Sequence, residues 1–524
     1  MSAPASMQRP LLRAFLVASA LLPLVITVPR VAAGMRGACL ASDFALLELS
    51  TGEAAQGAQW LGPYSRFGWR HPGPAYFYLL APLYRLSGGT SASLPVGALI
   101  INWAAVLAMM LMLWRHADRP ETFVLALVLA LAYGAYLGPG FVYNIWNPAI
   151  TVLPFGLLLL SCAAVACGES RGLPVLAVIG SFLVQTHVGY LPPVAVAIAV
   201  ALGLRARGRQ HGDIAPAPLT TVALTLGALV LLWTLPVIEQ LTRTPGNLTR
   251  MALFFLRGQQ DHSMREALAV VSREIAWPWS YLLFGARDQY ATYPALAGAR
   301  LAGAAALTLV QAMLLAWWSL RPSHHPYLRA LARVCLSTTA VAVLAVMRVT
   351  GEVRPYVTTW ISMVGTLGAL AAVVPLFPRN TIARPAARGL AATGLVAGVA
   401  LAFALVGRPL VRDSQFPPAR AMSDRIVSVL RQRGTRRSQV VIQTGSPELF
   451  YAASAVLLQM HKSGVAFAVD RPWLNFFEDR WRPNGIEDDT LDFRMVTPPD
   501  DLAIVCSKAE IARLCVGVRA RPAS

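Results

Sequence analysis

The chain has 524 residues, of which 56% are hydrophobic and 14% are charged, and its mean hydropathy is +0.53. Soluble domains carry about 25% charged residues, so this composition predicts a mainly α, polytopic membrane protein rather than a large globular one. The net charge of +19 invites a nucleic-acid interpretation. We set that class aside because neither a basic face nor a nucleic-acid-binding motif accompanies the charge.

The apolar runs predict about 11 transmembrane helices, each near the roughly 17–25 residues that cross a bilayer. They lie at 11–34, 93–114, 121–138, 148–167, 173–189, 191–204, 219–238, 296–320, 328–348, 357–377 and 389–408. With the N-terminus in the cytoplasm, the arginine-rich short loops fall on the cytoplasmic side, as the positive-inside rule requires. We therefore predict a multi-pass protein of a bacterial inner (plasma) membrane.

Two domains are expected, of which the first, 1–408, is the transmembrane catalytic domain. Its first outer loop, 35–92, contains an aromatic-rich stretch at 75–86 that is too short to span a bilayer, which predicts an interfacial helix. A second amphipathic helix is predicted at 263–275.

The composition changes after residue 408 to that of soluble protein. Helical spacing at 419–433 and 449–461 and short apolar strands at 439–443, 465–469 and 502–506 predict a small α/β domain at 409–524, periplasmic or extracellular. Cys506 and Cys515 lie in this domain. A disulfide and two free thiols fit the sequence equally well.

Carboxylates follow the first apolar run directly. Asp43 begins a short helical pattern, so it either caps that helix or serves as a general base beside the membrane. Glu48 and Glu53 continue the same pattern, and we expect both to be solvated.

The sequence GPYSRFGWRHPGP at 62–74 combines turn residues, cations and aromatic rings. Arg66, Arg70 and His71 are suited to bind phosphate oxygens, and fixed cations stabilise a departing phosphate. Tyr64 and Trp69 offer flat faces to a sugar ring or an isoprenoid chain. The alternative is an interfacial belt, in which Trp, Tyr and Arg are common.

Polar groups also occur at the predicted outer ends of later spans. Gln185 and His187 close an apolar helix, where they face either a cavity or a neighbouring helix. Arg348 and Arg354 either hold a lipid phosphate or pair with Glu352. A Cys/His cluster of metal-ligand spacing does not occur in the sequence.

With LGPYSRFGWRHPGPAYFYLLAPLYRL after the first run and SFLVQTHVGY later, the chain resembles the GT-C class of integral membrane glycosyltransferases, in an uncharacterised bacterial branch. The resemblance implies a polyprenyl-phosphate sugar as donor and Asp43 as the catalytic base. It also implies a phosphate-binding role for Arg66, Arg70 or His71. Many members pair acidic residues in the first outer loop, whereas Phe44 follows Asp43 here, so a divalent cation stays open as a cofactor.

The sequence thus predicts an inverting hexosyl- or pentosyltransferase that works on the outer face of the membrane. The acceptor is a glycan, a lipid or a protein, and membrane lipids surround the enzyme. A transporter or flippase of lipid-linked sugars is the alternative, because it would need the same cations. A polytopic scaffold is the third possibility, which the elaborate first loop disfavours.

Overall fold

The structure is a computed structural model that describes residues 21, 24–116, 120–138, 140–258, 261–279, 298–322, 324–377, 415–442, 447–470, 473–474, 476–477, 481–484, 487–494, 503–506 and 515–520. The chain divides into two compact units. The first unit comprises Met1–Arg30, Ala98–Val237 and Phe255–Arg408, and the second comprises Val31–Gly97, Ile238–Phe254 and Pro409–Ser524. The predicted domain boundary at 408/409 falls in a stretch outside the described residues and stays a prediction.

The described helices, in chain order, are α1 Leu24–Gly34, α2 Ser42–Ala55, α3 Ala75–Leu86, α4 Ser93–His116, α5 Pro120–Leu137, α6 Asn147–Ile150, α7 Val152–Ala166, α8 Gly172–Thr186, α9 Leu191–Gln210, α10 Leu219–Thr242, α11 Asn247–Arg257, α12 Met264–Ile275, α13 Gly298–Leu320, α14 Pro326–Met347, α15 Pro355–Val373, α16 Ala419–Gln432 and α17 Pro447–Lys462. The strands are β1 Arg437–Ile442, β2 Ala466–Val469, β3 Asp489–Arg494, β4 Ala503–Cys506 and β5 Cys515–Ala520.

The first unit is a bundle of apolar helices. Helix α7 is buried along almost its whole length and packs against α8, α9 and α14. Helix α10 instead leaves many leucine and valine side chains exposed. A helix that is apolar all round and exposed in a folded chain is suited to lipid rather than water.

Within the described residues, seven helices are long and apolar enough to cross a membrane. They are Ser93–His116, Asn147–Ala166, Val188–Gln210, Leu219–Thr242, Gly298–Leu320, Pro326–Met347 and Pro355–Leu376. Leu24–Gly34, Val124–Leu137 and Gly172–Thr186 are shorter apolar helices. The chain is therefore a multi-span membrane protein. The expected count of 11 is not confirmed, and the predicted span 389–408 lies outside the described residues.

Helices form at both predicted positions, 75–86 and 263–275. Helix α3 has the bounds expected from its aromatic pattern, and it packs against α2 within the second unit. Helix α12 begins with a reciprocal cap, in which the Ser263 hydroxyl accepts from the Glu266 backbone and the Glu266 carboxylate accepts from the Ser263 backbone. This arrangement satisfies two N–H groups at the start of the helix.

The C-terminal part of the second unit is a small α/β fold, as predicted. Its five strands run in the order β2-β1-β3-β5-β4. Strand β1 pairs in parallel with β2 and β3, whereas β5 is antiparallel to both β3 and β4. Helices α16 and α17 pack together, and α16 buries Met422, Ile426 and Leu430 on one face, as the helical repeat requires.

A buried ion pair joins the helices of this fold to its sheet. Arg433, which ends α16, donates to both carboxylate oxygens of Asp489 at 3.0 and 2.8 Å, and the Thr435 hydroxyl donates to the same carboxylate. Burial raises the pKa of Asp489, but the hydrogen bonds from Arg433 and Thr435 and the Arg433 charge outweigh it, so the pKa is lowered. At the far edge, Cys515 is disulfide-bonded, and its register partner across the β4–β5 pair is Cys506.

Candidate active site

Asp43 lies in the first turn of α2, a half-buried position that follows α1 along the chain. The N-cap is Ala41, whose side chain forms no capping hydrogen bond, so Asp43 is not the N-cap residue. Ser42 has a φ of +53°, and it is the one described non-glycine residue with a positive φ. This left-handed conformation costs an L-residue roughly 1–2 kcal/mol and persists where its surroundings enforce it.

The carboxylate of Asp43 accepts a hydrogen bond from the Tyr64 hydroxyl. A hydrogen bond donated to a carboxylate favours its charged form, which is the form that a base must have. The Tyr64 ring packs against Phe476, with the ring centroids 5.2 Å apart. The structure therefore brings together two of the residues that the sequence predicted for the site.

The three cations predicted for the site, Arg66, Arg70 and His71, lie on a tight hairpin, residues 62–71, which we call the cation hairpin. Its backbone bonds join Gly62 to His71, His71 to Pro63 and Ser65 to Trp69 at 3.0, 2.9 and 3.0 Å. Gly68 closes the turn with a φ of +81°, a conformation that glycine adopts without the steric cost of a Cβ. This fold leaves Arg66 and Phe67 exposed at the tip, while Arg70 and His71 are buried.

Both the backbone and the guanidinium group of Arg70 form hydrogen bonds. Its N–H donates to the side-chain oxygen of Asn247 at 2.8 Å, and its carbonyl accepts from the Asn247 amide at 2.8 Å. Its guanidinium donates to the Phe476 carbonyl at 3.0 Å. Asn247 is fully buried, and its own N–H donates to Glu239 at 2.9 Å.

The aromatic residues of the hairpin form a cluster with α11. Phe67 and Trp69 lie 4.7 and 5.6 Å from Phe254 between ring centroids. The Trp69 ring meets the His71 ring edge-on at 5.5 Å. The Arg66 guanidinium lies 5.1 Å from the Phe67 ring centre, so an exposed cation and an exposed ring share the tip.

Glu48 and Glu53 were expected to be solvated, and this expectation is wrong. Glu48 is fully buried, forms an ion pair with Lys462 of α17, and accepts from the Tyr84 and Ser91 hydroxyls at 3.3 and 3.1 Å. Burial raises the pKa of Tyr84, and the Glu48 carboxylate raises it further, so this hydroxyl stays a donor. Glu53 lies 3.6 Å from His461.

Two predicted residues of the first unit lie at the end of α8. The Gln185 amide donates to the Leu232 carbonyl at 2.8 Å. That carbonyl lies four residues before Pro236, which stands inside α10 and lacks the N–H that would normally reach it. The contact favours the interhelical alternative for Gln185, while His187 is half-buried and meets the Tyr190 ring edge-on at 6.1 Å.

Arg348 and Arg354 are both exposed. Arg354 forms an ion pair with Glu352 at 3.2 Å, as one alternative predicted, and half of each side chain is open to solvent. The intervening Gly351 receives a hydrogen bond from His262 at 2.7 Å and donates to Asp261 at 2.8 Å. These bonds fix the loop that carries the two arginines.

Sequence reasoning missed Asn247, Ser454 and Lys462. Asn247 begins the amphipathic helix α11, a position where asparagine is a common cap or turn residue. The other two lie more than 350 residues from their partners in the chain, and a single sequence carries no signal for such pairs. Within the described residues, no three His, Cys, Asp or Glu side chains are grouped to hold a metal ion.

The fold and this site define a multi-span membrane protein whose acidic first helix turn and cation-bearing loop follow an apolar helix. No protein-family model matches the chain, and no curated protein matches it. The crystal structure of ArnT from Cupriavidus metallidurans in the apo state matches with a TM-score of 0.52 at 12% sequence identity, covering 95% of this chain and 97% of that one. The structure of ArnT bound to undecaprenyl phosphate gives 0.48 at 13% identity, with the same 95% and 97% coverage. The chain thus shares the fold of ArnT over nearly its whole length, as the resemblance to the GT-C class predicted.

Proposed function

We propose that this protein is an inverting membrane glycosyltransferase that moves a hexosyl or pentosyl group from a polyprenyl-phosphate donor to an acceptor hydroxyl. The observation that carries the proposal is the placement of Asp43, which is held by Tyr64 in the unit that also contains the cation hairpin. The shared fold supports it, because ArnT binds undecaprenyl phosphate.

The reaction is a single displacement. Asp43 accepts the proton of the acceptor hydroxyl while the acceptor oxygen attacks the anomeric carbon. The bond between that carbon and the phosphate oxygen breaks, and polyprenyl phosphate leaves with the bonding electrons. One displacement inverts the anomeric centre. Tyr64 holds the carboxylate in place during the transfer.

Negative charge grows on the departing phosphate, and fixed donors lower the barrier to its departure. Arg66 is the exposed cation of the hairpin and is proposed to reach the phosphate. Arg70 and His71 are buried, so they support the hairpin and present its donors. Trp69 is proposed to line the path of the sugar or the isoprenoid chain.

The predicted substrate-binding role of Gln185, His187, Arg348 and Arg354, which belong to the first unit, stays a prediction. The site is proposed to face the periplasm or the cell exterior, with the N-terminus in the cytoplasm. The disulfide of Cys515 supports that orientation, because disulfides persist in oxidising compartments. The acceptor is a glycan, a lipid or a protein.

The experiment is a transfer assay with a radiolabelled polyprenyl-phosphate sugar in membranes that contain the wild type, Asp43→Asn or Asp424→Asn. Asp424 is an exposed carboxylate on α16 and serves as the matched control. We expect Asp43→Asn to lose transfer by about 100-fold or more, because a general base contributes about 10²–10⁴-fold. Wild-type transfer by Asp43→Asn would refute the base assignment.

The alternative, a transporter of lipid-linked sugars, is tested with the purified protein. Purified protein in liposomes that moves the labelled lipid across the bilayer without forming a glycosidic bond would favour transport. If transport is the function, Asp43→Asn should have no effect, because transport includes no chemical step that a base would assist.

A further inference from the structure

The backbone next to Asp43 forms a hydrogen bond with a residue that is distant in the sequence. The N–H of Ser42 donates to the Ser454 hydroxyl oxygen at 2.7 Å, across 412 residues of sequence. Ser454 is fully buried on α17, and its own hydroxyl donates to the Tyr451 carbonyl at 2.9 Å. The single hydroxyl hydrogen is thereby directed to Tyr451, which leaves a lone pair of the oxygen for Ser42.

We propose that Ser454 is a positioning residue for Asp43, and this inference rests on the proposed role of Asp43 as the base. The first N–H groups of a helix need an acceptor from outside the helix. Ala41 offers none from its side chain, and Ser454 supplies one instead. Its hydrogen bond holds Ser42 in the left-handed conformation, and the φ of Ser42 sets the direction in which the next residue, Asp43, projects.

Two further contacts make α17 a fixed support. Lys462, at the end of α17, forms an ion pair with the buried Glu48 of α2. The Tyr64 phenol that binds Asp43 packs against Phe476, and the Phe476 ring lies 4.9 Å from that of Phe450 on α17. The C-terminal fold therefore contacts both the residue before the base and the side chain that binds the base.

The role proposed for the C-terminal fold is to set the geometry of catalysis. Misplacement of a reacting group by about 1 Å costs on the order of 100-fold in rate. Loss of the Ser454 hydroxyl releases the Ser42 backbone toward the ordinary right-handed region and turns Asp43 with it. The substrate is still bound, so kcat falls and KM does not.

The test is steady-state transfer kinetics on the purified full-length protein with a labelled polyprenyl-phosphate sugar, together with binding of unlabelled polyprenyl phosphate. Ser454→Ala is expected to lower kcat by about 10- to 100-fold, with KM and phosphate binding at wild-type values. Ser42→Gly added to Ser454→Ala is expected to restore most of kcat, because glycine adopts a positive φ without steric cost. Ser423→Ala is the control, since Ser423 is equally buried and its hydroxyl has no hydrogen-bond partner among the described residues.

Wild-type kcat for Ser454→Ala beside an inactive Asp43→Asn would overturn this inference and leave the proposed function standing. Wild-type transfer by Asp43→Asn would remove the base assignment and this inference together, whereas absence of transfer by the wild type would remove the proposed function. If Ser454→Ala unfolds at the assay temperature, Ser454→Cys takes its place, because the thiol is a weak acceptor of similar size. A loss that Ser42→Gly does not relieve would show general destabilisation and overturn the positioning role.

Discussion

Replacing Lys462 with methionine removes the cation that faces the buried Glu48 and keeps most of its apolar stem. Removing one partner of a buried pair costs about 3–5 kcal/mol, because the other charge is left without compensation. The Lys462 side chain is 24% exposed, so solvent screens part of the interaction, and we expect a loss at the lower end, about 3 kcal/mol. For a cooperative unit of roughly 150–250 residues this loss lowers the unfolding midpoint by about 6–12 °C.

The assay is thermal unfolding of the detergent-purified protein, followed by tryptophan fluorescence. Arg425→Met is the control, because Arg425 is an exposed cation on α16, and its loss should change stability by no more than about 0.5 kcal/mol. Combining Glu48→Gln with Lys462→Met removes both charges and should recover part of the loss. A midpoint for Lys462→Met that equals that of Arg425→Met would refute the reasoning, as would a double variant whose losses simply add.

Three further predictions follow from particular contacts. Gln185→Leu should destabilise the protein by about 1–2 kcal/mol, because it leaves the partly buried Leu232 carbonyl without its partner, and Pro236→Ala in the same chain should reverse the loss by restoring a helical N–H. Asn247→Ala should cost about 1–3 kcal/mol and increase proteolysis of the cation hairpin, since it breaks both bonds to the Arg70 backbone. The lowered pKa of Asp489 contributes stability that is full above the unfolded carboxyl pKa of about 3.9 and is lost as the pH falls through the lower folded value. Asp489→Asn should remove that component of acid sensitivity in a thermal-unfolding series over pH.

Each of these has an outcome that would contradict it. A Gln185→Leu variant that Pro236→Ala fails to rescue would show that the amide acts elsewhere, for example on substrate. Wild-type protease resistance of Asn247→Ala would mean that the cation hairpin stays folded without the bonds from Asn247. An acid response of Asp489→Asn identical to that of the wild type would assign the sensitivity to other carboxylates.

Local sequence patterns predicted those helices and strands that are specified by residues close together in the sequence. The aromatic run predicted helix α3 with its observed bounds, and the amphipathic pattern at 263–275 predicted α12. Strands β3 and β5 were missed. Each is six residues long and mixes charged or glycine residues with apolar ones, so its pairing rather than its composition defines it.

The sequence indicated which side chains of the candidate site are chemically suited to it, but not the contacts that these side chains make. Asp43 was selected because it follows an apolar run. The hairpin was selected because glycine and proline residues alternate there with cations and aromatic rings. The burial of Glu48 was not predictable, because its compensating cation, Lys462, belongs to a helix that is distant in sequence. A carboxylate on a short polar-looking helix is ordinarily solvated, and only the tertiary partner reverses that expectation.

The bond between Ser42 and Ser454 has a consequence for how the protein is made. Its two residues are separated by 412 positions, so the ribosome has completed the membrane bundle before the acceptor for Ser42 is synthesised. Closing so long a loop is slow and depends on the rest of the fold being in place. Under the proposed function, the backbone next to Asp43 therefore reaches its working geometry only after the segment that carries Ser454 has been synthesised and has docked.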